Sequence, residues 1–305
     1  MGPAPWLWIP ITVWAAFAQT LRNAVQRHLT AELGTLGATL VRFLYGLPFA
    51  ALWLYAVHAA GGLAVPAPNA RFAGWVLLAA LCQIAATAFL LRAMAERNFA
   101  LGIAYSKTEI IQVAVFALLF LGDPVSAGTA LAIGLGTLGV LLLSPADPER
   151  PLRALIMGWT TRPALLGLAS GTGFALAAVG YRGASLALHN TPYAMAAAST
   201  LMGALLIQSV LLGGWLLARD AAAVARVLRA WRPASFAGFM GAAASAGWFT
   251  AMAVEPVARV RTLGLIELPF AYVVSRRFFR ERLKGLELAG MALLALGLVI
   301  VTLTK

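Results

Sequence analysis

The chain has 305 residues, 61% of them hydrophobic and only 11% charged, with a formal net charge of +12. Apolar stretches of membrane-spanning length, separated by short polar ones, leave no room for a soluble domain. The single cysteine, Cys82, excludes a disulfide framework, and no metal-ligand cluster, cofactor motif or nucleophile–base set is present.

The pattern predicts ten membrane-spanning helices, at 6–26, 36–57, 72–94, 99–121, 127–144, 163–186, 193–217, 234–253, 258–278 and 286–303. Within the first, Ala16-Phe17-Ala18 has the form of a signal cleavage site, but nothing basic precedes Trp6, so a retained span is expected. Gln19, Arg22, Asn23 and Gln26 follow i, i+3, i+4, i+7 spacing and form one polar face. Such a face is costly against lipid and is expected to line a cavity or meet other polar groups. The second span carries Arg42, and the third ends with Arg92. The fourth is interrupted by Tyr105-Ser106-Lys107-Thr108-Glu109. Tyr105 and Glu109 share a helix face, as do Glu109 and Gln112. Arg22, Arg42, Arg92 and Lys107 all fall toward one side, either as a pocket for a carboxylate or phosphate group or as cations reaching the interface.

Ser144 to Pro151, with three prolines, reads as a linker. It divides the chain into a first repeat at 1–145, a connector at 146–162 and a second repeat at 163–305. In the second repeat Arg182 is comparable to Arg22. Glu267-Leu268-Pro269 in the ninth span predicts a kink at the proline. Trp14 and Trp248 lie deep enough to stack on a substrate, although core packing explains them equally. Gly167 and Gly171, and Ala237, Gly241 and Ser245, suit close helix packing. So do Gly134, Gly136, Gly139, Gly290 and Gly297, which alternatively form a homodimer face.

A shift of 158 residues places Glu109 on Glu267, Asp123 on Glu281 and Gly139 on Gly297. Five spans per copy is an odd number, so the second copy enters the membrane upside down relative to the first. The expected fold is all-α and integral to the membrane: ten transmembrane helices as two inverted five-helix repeats around a central cavity. An ionisable group at membrane depth is a functional candidate, and low dielectric disfavours the charged form of a carboxylate. Glu109 and Glu267 are therefore expected to exchange protons.

Arginines concentrate on one set of loops: Arg150, Arg153 and Arg162; Arg219, Arg226, Arg229 and Arg232; and Arg276, Arg277, Arg280 and Arg282. The positive-inside rule makes that side cytoplasmic and puts both termini outside a plasma (inner) membrane. This distribution argues for anionic lipids as partners and against nucleic acid.

Arg42, Glu109, Asp123 and Gly139 in the first half, and Glu267, Pro269, Glu281 and Gly297 in the second, resemble the EamA domain of the drug/metabolite transporter superfamily. Met202 stands where Arg42 would have its counterpart. The resemblance implies a secondary transporter with a central cavity, lined mainly by the first four spans of each half. Members export amino acids, other metabolites or drugs, often with proton coupling. They usually have cytoplasmic termini, the reverse of what the arginines favour here.

The expected function is a proton-coupled exporter of a small polar or amphipathic metabolite, an amino acid or organic anion, working by alternating access. Protons would bind Glu109 and Glu267. Arg22, Arg42 and Lys107 would hold an anionic group, with Gln19, Asn23, Tyr105 and Gln112 as polar contacts. The alternatives are an uncoupled organic-anion or phosphate-ester exchanger and a multidrug exporter of cations, the latter using Trp14 and Trp248 as walls. An intramembrane enzyme is a remote alternative, and the protein is not expected to be one.

Overall fold

The structure is a computed structural model that describes residues 6–96, 103, 106–107, 109–143, 162–278 and 285–303. All secondary structure among these residues is helical. The chain order is α1 (Trp8–Leu44), α2 (Leu47–Gly61), α3 (Ala70–Glu96), α4 (Glu109–Leu121), α5 (Ala127–Leu143) and α6 (Arg162–Ala187). There follow α7 (Tyr193–Arg219), α8 (Ala221–Arg229), α9 (Trp231–Val254), α10 (Val257–Leu263), a 3₁₀ turn at Gly264–Ile266, α11 (Glu267–Phe278) and α12 (Gly285–Leu303).

Five of these stretches are long and apolar enough to cross a membrane: Trp8–Gly61, α3, α6, α7 and α9. Ten separate spans are not what the described residues present. The expected spans at 6–26 and 36–57 belong to one helical stretch of 54 residues. Drawn straight, it would run roughly 80 Å, more than twice the hydrocarbon thickness. It does not run straight. Gly34 takes φ 67° and ψ 172°, a conformation that glycine alone adopts readily. The chain turns back there, so that Gln26 Nε2 donates to Ala38 O at 2.7 Å across the turn. The opening half of the expected fourth span lies largely outside the described residues, as do Tyr105, Glu281 and the linker. The expected ninth span is broken into α10, the 3₁₀ turn and α11.

The expected kink at Pro269 is absent. Pro269 sits in the first turn of α11, where a missing N–H costs nothing, and the break falls just before Glu267. Gly264 makes the break compact: a Cβ there would lie 2.6 Å from the Trp248 ring. The short helix α8 was not anticipated. Its Ala223, Val224 and Val227 are buried, while Arg226, Leu228 and Arg229 are exposed.

Burial follows the membrane pattern, with large apolar side chains facing outward. Leu52, Tyr55, Leu119 and Val210 are all more than 60% exposed, and α2 buries only Ala50. Small residues bring the helices together where chains must touch. On α6, Gly173, Gly180 and Gly183 press against α3; a Cβ at each would lie 2.9 Å from Ala86 Cβ, 2.9 Å from Ala79 Cβ and 2.8 Å from the Trp75 ring. Ser170 Oγ adds a hydrogen bond to Ala86 O at 2.8 Å. Of the glycines in the closing helices, Gly297 packs on α5 within the chain, 3.1 Å from Ala132 O by the same measure.

Gly180→Val is expected to destabilise the protein by about 1–3 kcal/mol through overpacking. Gly134→Val, whose Cβ would meet nothing within 4 Å, is expected to leave stability nearly unchanged. Thermal unfolding in detergent checks the contrast; equal midpoints would refute the α3–α6 packing.

Candidate functional site

Two broken helices start with an acid. Glu109 opens α4 and Glu267 opens α11, each in a first turn. Both carboxylates are almost fully buried, at 2% and 1% exposure. A buried carboxylate requires a cation or several donors.

Each acid finds its cation on the other half of the chain. Lys107 Nζ forms an ion pair with Glu267 Oε2 and stands 3.9 Å from Glu109 Oε1. Arg261 Nη1, from α10, lies 3.5 Å from Glu109 Oε1. Glu267 has further donors: Gln19 Nε2 at 2.7 Å to Oε2 and Asn23 Nδ2 at 3.0 Å to Oε1. Gln19 also accepts from Trp248 Nε1 at 3.0 Å, and the Arg261 guanidinium stacks over the Trp248 ring at 4.8 Å. Gln19 thus fixes both the second acid and the ring that carries the first acid's cation.

Two arginines complete the cluster without a carboxylate partner among the described residues. Arg22 Nη2 donates to Asn23 Oδ1 at 2.6 Å, and Arg42 Nη1 donates to Thr87 Oγ1 at 3.1 Å. With its amide oxygen turned to the guanidinium, Gln83 accepts from Arg42 Nη1 at 2.8 Å. Arg22 and Arg42 come from opposite sides of the Gly34 turn and meet against Gly241. A Cβ at that glycine would lie 3.2 Å from Arg22 Cδ and 3.4 Å from Arg42 Cγ.

These groups surround a small cavity whose lining includes Gln19, Arg42, Lys107, Glu109, Arg261 and Glu267, with Leu90, Phe174, Trp248 and Phe249 as apolar walls. Its volume is about 20 Å³, room for about one water. Arg22 lies just behind the wall, 1% exposed.

Of the residues singled out by sequence, Gln19, Arg22, Asn23, Arg42, Lys107, Glu109, Trp248 and Glu267 come together here. The structure does not bring in the others. Trp14 is 46% exposed and lines an outward apolar groove with Trp53 and Ile11, so it forms no wall opposite Trp248. Gln112 is half-buried on α4 and does not line the cavity, although Glu109 three positions earlier on the same helix does. Arg92 is exposed and pairs with Glu96, which also receives Arg162 at 3.4 Å. Tyr105 lies outside the described residues. Arg182 forms a separate pair with Asp123, Nε to Oδ2 at 2.7 Å, and also donates to Glu255 O at 3.0 Å.

Arg261, Gln83, Thr87 and Ser245 line or support the site and were not singled out as site residues. Arg261 had a signal, since it falls inside the expected ninth span at 258–278. Thr87 and Gln83 are isolated polar residues in an apolar run, a pattern that packing explains as readily.

The fold and site define a class: five long apolar helices suggest a multi-pass membrane protein, here with a charged cluster sealed at its centre. No family model and no curated protein matches the chain. A solved crystal structure of a protein matches it with a TM-score of 0.62 over 99% of this chain and 98% of its own, at 14% identity. At that identity the likeness bears on the fold alone.

Lys107→Met and Glu267→Leu are each expected to destabilise the protein by about 3–5 kcal/mol, because each strands a buried charge. The double substitution is expected to cost clearly less than the sum of the two. Unfolding of all four proteins gives the coupling, and strict additivity would refute the Lys107–Glu267 pair.

Proposed function

We propose that the protein is a secondary transporter of a small organic anion, resembling the EamA branch of the drug/metabolite transporters. On this reading ten spans form two inverted repeats around the central site, which opens to each side of the membrane in turn. The crossed ion pairs are the observation that carries it: Lys107 of the first half holds Glu267 of the second, and Arg261 of the second faces Glu109 of the first. Such pairs join the halves while the site is closed, and an incoming anion competes with the carboxylates for the same cations. The cluster contains four cations, so it favours an anionic cargo over the cationic drugs of the multidrug alternative.

Contacts at the two ends of the bundle fit the ten-span parity. Glu96 meets Arg162 at one end. At the other, Asn69 Nδ2 donates to Ala187 O at 2.8 Å, and Arg259 lies over Trp8. The arginine-rich end, including α8, would face the cytoplasm and its anionic lipids, with both termini outside.

A proton-coupled cycle is the second reading, and a difference between the acids favours Glu109 as the carrier. Glu267 holds three donors, whereas the cations facing Glu109 stand at 3.5 and 3.9 Å. Glu109 is therefore the more loosely held of the two. Glu109→Gln would then abolish pH-gradient-driven uptake while leaving exchange at equal pH intact.

Purified protein in liposomes is expected to take up a radiolabelled organic anion from a panel of carboxylates and phosphate esters. Arg42→Gln should weaken half-saturation about 10- to 100-fold through loss of a charge-assisted contact. Transport of organic cations with no anion transported would overturn the proposal.

A further inference from the structure

We infer that the outward groove between α1, α2 and α9 is a lipid site. It holds one acyl chain of a diacyl phospholipid, whose ester carbonyl accepts a hydrogen bond from the Thr250 hydroxyl. The inference stands apart from the transport reading and from the arginine-rich end, since it needs only that the chain crosses a membrane.

The groove has a volume of about 450 Å³, inside the roughly 300–1,000 Å³ of small-molecule sites. Three helices line it: Ile11 and Trp14 come from α1, Trp53 from α2, and Ala243, Ala246 and Thr250 from α9. It opens outward, with Trp14 and Trp53 both partly exposed among the lipid-facing side chains. Its floor is the seam where α1 and α9 touch, since a Cβ at Gly247 would lie 2.8 Å from Ala15 Cβ. One turn along from Trp53 and Ala243, Phe49 of α2 and Phe239 of α9 meet edge to face at 5.2 Å and close the inner end.

Thr250 is the unsatisfied member of this lining. Threonines buried in other helices donate to the carbonyl four positions back. Thr12 donates to Trp8 O at 2.7 Å, Thr20 to Ala16 O at 2.9 Å, and Thr200 to Ala196 O at 2.7 Å. Thr250 Oγ1 has no hydrogen-bond partner among the described residues, although the residue is only 8% exposed. A buried hydroxyl left unpaired is costly, so the occupant is expected to bring an acceptor. Water does not fit that role, because it needs two or more polar partners and this lining offers one. Depth names the acceptor. The 24 residues of α9 span roughly 36 Å against a hydrocarbon core of about 30 Å. Thr250, four positions before the helix ends at Val254, therefore falls just inside the boundary, beneath the ester carbonyls of the lipids. No charged side chain lines the groove among the described residues, so it reads the ester linkage and the chain, not the headgroup. A chain hung from that carbonyl lies along Ala246 and Ala243 beside the two indoles. At the Phe49–Phe239 pair it rejoins the bilayer through the open side.

The test compares two linkages on one headgroup. Purified protein in detergent is titrated with chain-brominated phosphatidylcholine, as the diester and as the dialkyl ether, while bromine quenching of tryptophan fluorescence is followed. A double variant, Trp14→Phe with Trp53→Phe, assigns the groove's share of the signal. The diester is expected to quench saturably at a mole fraction about 3- to 10-fold lower than the ether, the effect of one hydrogen bond. Thr250→Val keeps the shape, removes the hydroxyl and should bring the two lipids together. Ala246→Phe should fill the groove and abolish the saturable part. The wild-type comparison stands even if that variant fails to fold. Quenching that rises without saturation, and equally for both lipids, would mean solvation by bulk lipid and overturn the site. An ester preference that survives in Thr250→Val would overturn the role of the hydroxyl. Displacement of the diester by cholesterol at a lower mole fraction would overturn the acyl chain as occupant.

Discussion

A carboxylate inside an apolar protein has to be matched by a cation, and here each half of the chain supplies the cation for the other half's acid. Much else in the structure follows from that requirement. The breaks just before each acid place both carboxylates in the first turn of a helix, within reach of cations from other elements. The breaks also free Lys107 and Arg261 from the rotational register of the acids that follow them. Lys107 lies two positions before Glu109 and could not share its face on a regular helix. Off the helix, it reaches across to Glu267.

Glycines set the distances that the charges need. Gly34 reverses the first long helical stretch, which places Arg22 and Arg42 on the same side of the bundle although twenty positions separate them. Gly241 gives both guanidinium stems room, and Gly264 lets the edge of the Trp248 ring close against the turn while its face meets Arg261. A side chain at Gly241 or Gly264 would push a charged group or its stacking partner away, whereas at Gly34 the constraint is the backbone conformation itself. The cost would be electrostatic as well as steric, because a buried charge displaced by even an ångström loses a partner that water cannot replace. Away from the cluster, on α6, glycines serve packing alone, and their cost is the ordinary one of volume.

Much of this site was legible in the sequence because an acid in an apolar run has few innocent explanations. The shift of 158 residues paired Glu109 with Glu267, and the polar stripe of the first span supplied Gln19, Arg22 and Asn23 together. Arg261 was not legible as a site residue, since charge counting treats an arginine near a span end as a topology marker. In the structure it is 8% exposed and faces Glu109. Trp14 and Trp248 were indistinguishable by hydropathy, and three-dimensional packing sent one to the outer groove and the other to the cavity. Pro269 misled because a proline inside an apolar run reads as a kink, whereas in a first turn it does nothing. The nine-residue α8 was missed because its basic face matches a solvated loop and its apolar face is only three residues wide.

Glu109 and Glu267, which a shift of 158 residues superposes in sequence, differ in environment. Glu267 is surrounded by Gln19, Asn23 and Lys107, so a proton arriving there would displace an ion pair and two hydrogen bonds. Glu109 faces cations at 3.5 and 3.9 Å, distances at which little hydrogen-bond energy is committed. On the transport reading proposed above, saturated coordination would suit an anchor that stays charged, and loose coordination a group whose partner an incoming anion can take. The same lysine stands between the two, so any event that draws Lys107 away from Glu267 brings its charge to bear on Glu109. One side chain thereby links the tightly held half of the site to the loosely held half.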